Sequence, residues 1–164
     1  MQARLASLDD AEAIAGIYNE GIADRIATFE TRERTADDIR AWFDDIHPVV
    51  VIEDEKNIVA FASTSTYRAR DCYAGIAEYS VYVARNARGR GAGQIAMQAL
   101  IQAATKAGYW KLVSRIFPEN TASLSLMNKL GFRTVGTYEK HGQLDGVWRD
   151  VVIVELLIPE NLRS

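Results

Sequence analysis

Apolar and polar positions alternate along the chain in a way that separates short strands from amphipathic helices. Residues 2–6 are expected as a first short strand. Asp9 and Asp10 favour a helix start, and Ala11, Ile14, Ile17 and Tyr18 then fall on one helical face. Residues 36–46 predict a second helix, ended by Pro48. The β-branched run Val49, Val50, Val51, Ile52, a polar turn over 53–57 and a returning strand over 58–67 predict a hairpin. Residues 73–84 are expected as a long strand and 85–91 as a loop. Residues 92–107 predict a helix with Gln94, Gln98 and Gln102 on one polar stripe, closed by Gly108. A strand over 112–117 follows. Asn120 is the expected N-cap of a helix over 120–130, and Gly131 ends it. Residues 132–138 and 147–158 complete the pattern. The order β-α-α-β-β-β-α-β-α-β-β predicts an α/β fold of the α+β type. Its central sheet would be mixed and mostly antiparallel, flanked by helices, rather than doubly wound and parallel.

Length and charge narrow the function classes. The 164 residues suit a single domain over 1–164, and no repeat, low-complexity tract or Pro/Gly/Ser-rich linker divides them. With 48% hydrophobic and 25% charged residues, the composition is that of a globular protein. A formal net charge of -3 argues against a nucleic-acid partner, which needs a basic field, although a local basic patch lies around residues 85–90. The lone cysteine, Cys72, cannot form an intrachain disulfide; this suits a reducing cytoplasm, and Cys72 is expected as a small, partly buried residue. No apolar run approaches the ~20 residues of a membrane span, and the first residues lack a secretory pattern, so no membrane partner is expected. Two His and one Cys give no metal-ligand spacing.

The segment Arg88-Gly89-Arg90-Gly91-Ala92-Gly93-Gln94 joins the end of a strand to the start of a helix. Glycines let backbone approach an anion closely, and a helix start offers unpaired N–H donors and a partial positive charge. Together these make a phosphate cradle, to which Arg88 and Arg90 add charge. A plain tight turn is the bland alternative. A Walker loop needs Lys-Ser/Thr after its second glycine, and none is present. A dinucleotide fingerprint is partly matched by Gly91, Gly93 and Ala96. However, the next strand carries no Asp or Glu for a ribose, and the loop follows the fourth strand rather than the first.

Arg88-x-x-Gly91-x-Gly93 resembles the acetyl-CoA motif of the GNAT acetyltransferases, Gln/Arg-x-x-Gly-x-Gly/Ala. The stretch from Asn120 through Ser123, Met127 and Leu130 to Gly131-Phe132 is similar to that family's late helix, which ends in Leu-Gly-Phe. Four further stretches resemble the group that acetylates phosphinothricin, methionine sulfoximine and arsinothricin. They are Ile17-Tyr18-Asn19, Ala27-Thr28-Phe29-Glu30, Glu78-Tyr79-Ser80-Val81-Tyr82-Val83 and Gly146-Val147-Trp148-Arg149-Asp150. The likeness spans nearly the whole chain, and the stretch over 140–150 is nearest the arsinothricin members.

The resemblance implies acetyl-CoA as co-substrate and no metal. It implies coenzyme A contacts from Val81, Tyr82 and Val83 through strand backbone, from Arg88, Gly89, Arg90, Gly91, Ala92, Gly93 and Gln94 at the pyrophosphate, and from Asn120 with Lys129 nearby. Glu78 would be the general base, with Arg68, Tyr79, Ser80 and Arg149 near a small amino-acid acceptor. A homodimer with the acceptor pocket close to its interface is also implied. Two positions depart from the family: Met127 stands where many members have a proton-donating Tyr or His, and Arg149 where phosphinothricin acetyltransferases can carry His.

Other readings stay open for several residues. Glu78 is also what an outward strand residue paired with Lys or Arg would look like. Arg68 suits a carboxylate, phosphinate or arsinate because a guanidinium is planar and two-pronged; Arg70 suits solvent. Arg149 would reach the pocket or pair with Asp145 or Asp150. His141 is expected exposed, and Tyr82 is expected to contribute backbone. The leading expectation is acetyl transfer to the α-amino group of a glutamate-like amino acid, conferring resistance. Acetylation of a protein N-terminus or polyamine, and a non-catalytic coenzyme A sensor, are the rivals.

Overall fold

A computed structural model describes residues 1–162. Strands β1 (Gln2–Leu5), β2 (Val49–Asp54), β3 (Asn57–Thr66), β4 (Ile76–Val83), β5 (Lys111–Ile116), β6 (Arg133–Leu144) and β7 (Val147–Leu157) form one sheet in the order β1-β2-β3-β4-β5-β7-β6. Helices α1 (Ala11–Asp24) and α2 (Ala36–Arg40) cover one face, and α3 (Ala92–Lys106) and α4 (Thr121–Lys129) the other. Every neighbouring pair is antiparallel except β4 and β5. The expected mixed, mostly antiparallel α/β architecture and the element order are thus observed.

Two-residue alternation assigns each strand's side chains to one of two cores. On β3, Phe61 faces α1 and α2 with Val49 and Val51 of β2. Ala60 and Ala62 face α3 with Val50 and Ile52. Small residues on β3 let α3 lie close, with Ala96, Met97 and Leu100 wholly buried against the sheet.

Three elements differ from expectation. The helix expected over 36–46 stops at Arg40. Trp42 and Phe43 donate only three residues back, and the Asp44 carboxylate accepts the N–H groups of Ile46 and His47. A side chain that satisfies backbone donors locally competes with the helix. The strand expected over 73–84 starts only at Ile76, because Tyr73 closes a 3-10 turn over 71–73, and Cys72 in that turn is exposed instead of partly buried. The strand expected over 132–138 runs on to Leu144 through a bulge between Tyr138 and Gly142, with Lys140 at φ 48°. Its polar outer stretch hides the period because nearly all of β6 is exposed on both faces.

Candidate active site

The parallel ladder between β4 and β5 is short. Ile76, Ala77 and Glu78 pair with Lys111, Leu112 and Val113, and then the strands part. Beyond that point β5 is held by β7 and β4 by β3, so the facing edges are open from Tyr79 and Ser114 onward. The Ser114 hydroxyl donates to the Tyr79 carbonyl at 2.9 Å and satisfies one of these groups. The gap is walled by Ser80, Val81 and Tyr82 on one side and by Arg115 and Ile116 on the other, with Asn120 and Ser123 at its head. Backbone donors and acceptors on such an edge require water or a ligand as partner. A chain-like ligand with amide groups, such as the pantetheine arm of coenzyme A, fits that donor set.

The glycine loop lies at the end of this gap. Gly91 caps α3 in the left-handed region (φ 86°), a conformation that L side chains resist, and no side chain caps the helix. Ile95 makes the first helical bond, to the Gly91 carbonyl. The N–H groups of Ala92, Gly93 and Gln94 therefore have no partner within the helix and carry its positive end. A Cβ on Gly93 would stand 3.3 Å from Leu126, so α4 closes tightly on the loop there. Gly89 also has positive φ (79°).

The loop arginines are placed differently from expectation. Arg88 pairs with Asp24 at 2.7 Å and Arg90 with Asp54 at 2.6 Å, so both charges are shared with carboxylates at the rim. Hydrogen bonds from Arg85 and Arg88 hold Asp24 below the usual carboxylate range. Lys129 instead reaches the head of the loop, donating to Gln94 Oε1 at 3.1 Å. Asn120 caps α4 by accepting from the Ser123 N–H at 3.3 Å.

Beside the gap, on the α1 face of the sheet, lies a cavity of about 340 Å³. Glu78 and Ser80 line it from β4, Ser65 from β3 and Arg115 from β5. The segment from Ala27 to Glu30 roofs it. Asn19 pins that segment's far end, since its side chain both donates to the Arg34 carbonyl (2.9 Å) and accepts from the Arg34 N–H (2.8 Å). Phe29 meets Phe117 edge-on at 4.8 Å and sits in a notch of the β6–β7 hairpin, where a Cβ on Gly142 would stand 2.9 Å from its ring. Glu78 is a quarter exposed. Its Oε1 accepts from Arg115 Nε at 3.0 Å and Nη2 at 2.7 Å.

The side chains of three assigned substrate residues do not reach this cavity as expected. Arg68 is exposed beyond the end of β3, stacked over its own neighbour Tyr67. The Tyr79 side chain points the opposite way from Glu78 and Ser80, by strand alternation, and is buried against Phe132. Burial pushes its phenol pKa well above the usual tyrosine value. Arg149 stands behind Phe117, 5.2 Å from the ring centre, with Glu119 at 3.7 Å. The Tyr82 phenol packs on Tyr18 and Phe61, its pKa raised by burial, so the strand backbone is what Tyr82 offers the gap. Met127 is wholly buried. His141 is exposed and stacks on Tyr138, and Arg70 is exposed.

Arg115 is the site residue that sequence reasoning missed. It follows the inward-facing Ser114 in an apolar strand, and only the parallel pairing of β4 with β5 brings it to Glu78.

Comparison with known proteins agrees with this geometry. The acetyltransferase (GNAT) family matches residues 14–132. The chain is 32% identical over 158 residues to the L-methionine sulfoximine/L-methionine sulfone acetyltransferase of Pseudomonas aeruginosa, covering 93% of this chain and 92% of that one. Among solved structures it is similar to the ribosomal-protein-alanine N-acetyltransferase of Brucella melitensis, with TM-score 0.92 and 30% identity over 96% of this chain and 100% of that chain. It is also similar to a phosphinothricin acetyltransferase of Sinorhizobium meliloti in complex with AcCoA, with TM-score 0.91 and 27% identity over 99% of this chain and 91% of that chain. The chain belongs to the GNAT acetyltransferase family and is an N-acetyltransferase.

Proposed function

We propose that this chain, acting as one domain over 1–164, transfers acetyl from acetyl-CoA to the α-amino group of a small glutamate-like amino acid. Phosphinothricin, methionine sulfoximine and arsinothricin define the acceptor class, and acetylation would confer resistance by neutralising the amine. The observation that carries this reading is Glu78, whose carboxylate faces a small cavity beside the β4–β5 gap. Names borne by relatives support the acceptor class.

When bound, acetyl-CoA supplies an acetyl group activated as a thioester. The open edge of β4 from Val81 to Val83 would hold its arm. A backbone N–H there would polarise the acyl oxygen. Gly89 to Gln94 would cradle the pyrophosphate, with Arg88, Arg90 and Lys129 as outer charges and Asn120 at the gap's head. An α-amino group is mostly protonated at pH 7, its pKa being about 8. Glu78 would take one proton before attack and so free the nitrogen lone pair. As that nitrogen bonds to the acyl carbon and the carbon–sulfur bond breaks, its second proton would pass to water or to the departing sulfur. Thiols ionise near a pKa of about 8.5, so the sulfur can leave as thiolate, and position 127 need not supply a proton. No step requires a metal. We further propose a cytoplasmic homodimer; the exposed Val135, Tyr138, Val147 and Trp148 on the β6–β7 hairpin support an apolar interface.

A cationic amine is the second reading, favoured by the two carboxylates Glu30 and Glu78 on the cavity wall. An acetyl-CoA assay over amino acids, polyamines and an N-terminal peptide decides between them. The proposal expects turnover of the amino acids, and a Glu78→Gln variant that binds acetyl-CoA but loses roughly 10²- to 10⁴-fold in rate. Turnover confined to polyamines or peptide would overturn it.

A further inference from the structure

We propose that Arg115 is the receptor for the acceptor's α-carboxylate, and that within the proposed acceptor class the site favours members without a second anion. This rests on the amino-acid reading of the same site.

The geometry is specific. Both hydrogen bonds from Arg115 go to one oxygen of Glu78, Oε1. Among the described residues no hydrogen bond uses Arg115 Nη1 or Glu78 Oε2, so a donor and an acceptor stand side by side on the cavity wall. An α-amino acid carries its nitrogen and its carboxylate on adjoining carbons. Glu78 Oε2 suits the nitrogen and Nη1 the carboxylate. A guanidinium has donors enough to serve two carboxylates at once. Arg115 lines both the cavity and the β4–β5 gap, so a carboxylate held there leaves the amine at the junction of the two.

The other cations do not compete for this role. Arg68 lies over Tyr67, Arg149 behind Phe117, and Arg34 pairs with Glu30 at 2.8 Å. Next to the cavity lies a chamber of about 370 Å³, sharing Tyr18, Ser65 and Ser80 with it. Ser63 and Thr66 add hydroxyls to this chamber, and the His47 beside them is held by Asp44. Hydroxyls donate to neutral oxygens such as those of a sulfone, sulfoximine or amide. A second anion in the acceptor would instead meet Glu30 and Asp44, and among the described residues no arginine besides Arg115 lines either cavity to match it. Within the proposed class the geometry therefore favours methionine sulfoximine and its sulfone, whose side chains carry uncharged hydrogen-bond acceptors, over the anionic phosphinothricin and arsinothricin.

Kinetics on three acceptors test this: methionine sulfone, its decarboxylated amine, and phosphinothricin, each with wild type, Arg115→Ala and Arg115→Lys. Wild type should prefer methionine sulfone to both others. Arg115→Ala should raise the KM for methionine sulfone roughly 10- to 100-fold, with the decarboxylated amine changed less than about 3-fold. Arg115→Lys should recover part of the loss. Thermal melting and acetyl-CoA binding confirm that each variant is folded. Equal loss on the amine lacking a carboxylate would mean that Arg115 only positions Glu78, and would overturn the proposal, as would a KM blind to Arg115 or a wild-type preference for phosphinothricin. If wild type acetylates none of the three, the amino-acid reading fails and this proposal falls with it.

Discussion

At the scale of single residues, strand alternation decides who can do chemistry. Glu78 and Ser80 face the cavity, while Tyr79 between them is committed to the α3–α4 core. Among the described residues the Tyr79 hydroxyl has no well-placed hydrogen-bond partner despite its burial, the nearby Ser114 hydroxyl being given to the Tyr79 carbonyl. An unpaired buried hydroxyl costs about 1–3 kcal/mol, so Tyr79→Phe should leave kcat unchanged and raise the melting temperature. A drop in kcat with unchanged stability would show that the phenol itself serves catalysis. Asp10 is the opposite case. Its carboxylate accepts from both ends of the Arg4 guanidinium at 2.8 Å and from the Ser7 N–H at 2.8 Å. The Arg4 hydrogen bonds, against a burial effect of opposite sign, hold its pKa below the ordinary value. A depressed folded pKa stabilises the protein fully above the unfolded value of about 3.9, and the gain is lost as pH falls through the folded value. Asp10→Asn should therefore cost about 1–3 kcal/mol in denaturant unfolding at pH 7. That difference should shrink below about pH 4.

At the scale of elements, the meeting of β4 and β5 sets the site, and Gly75 sets that meeting. Its carbonyl accepts the Trp110 N–H at 2.8 Å, and a Cβ there would lie 1.9 Å from the Trp110 ring. Gly75→Ala should destabilise by at least about 1–3 kcal/mol, seen as a lowered melting temperature, because neither backbone nor indole can yield freely. Most elements were legible from local pattern: the helical faces of α1 and α3, the β2–β3 hairpin and the glycine loop. What was not legible depended on partners distant in sequence. The end of α2 turned on Asp44 bonding to Ile46 and His47, and the length of β6 on exposure of both its faces. Glu78 stood out through its motif, whereas Arg115 needed the parallel pairing to become visible. Arg68 was assigned from the resemblance and from the two-pronged chemistry of its guanidinium, and neither says where a chain leaves its strand.

At the scale of the whole molecule, the β6–β7 hairpin has two duties. Its inner side seats Phe29, which roofs the cavity beside Glu78, and its exposed stretches carry Val135, Tyr138, Val147 and Trp148, each about half exposed. If that surface joins two copies, Trp148→Glu should convert a dimer to monomers in sedimentation experiments and raise the acceptor KM by loosening Phe29. A wild type that sediments as a monomer would contradict the dimer.

The parting of β4 from β5 has a mechanical side as well. The seven strands are two panels, β1 to β4 and β5 to β7, and the ladder sewing them together is only three residue pairs long. A ligand lodged in the open seam acts as extra stitching. Filling the seam should therefore stiffen the panels against each other, an expectation that amide hydrogen exchange along β4 and β5 with and without acetyl-CoA would check.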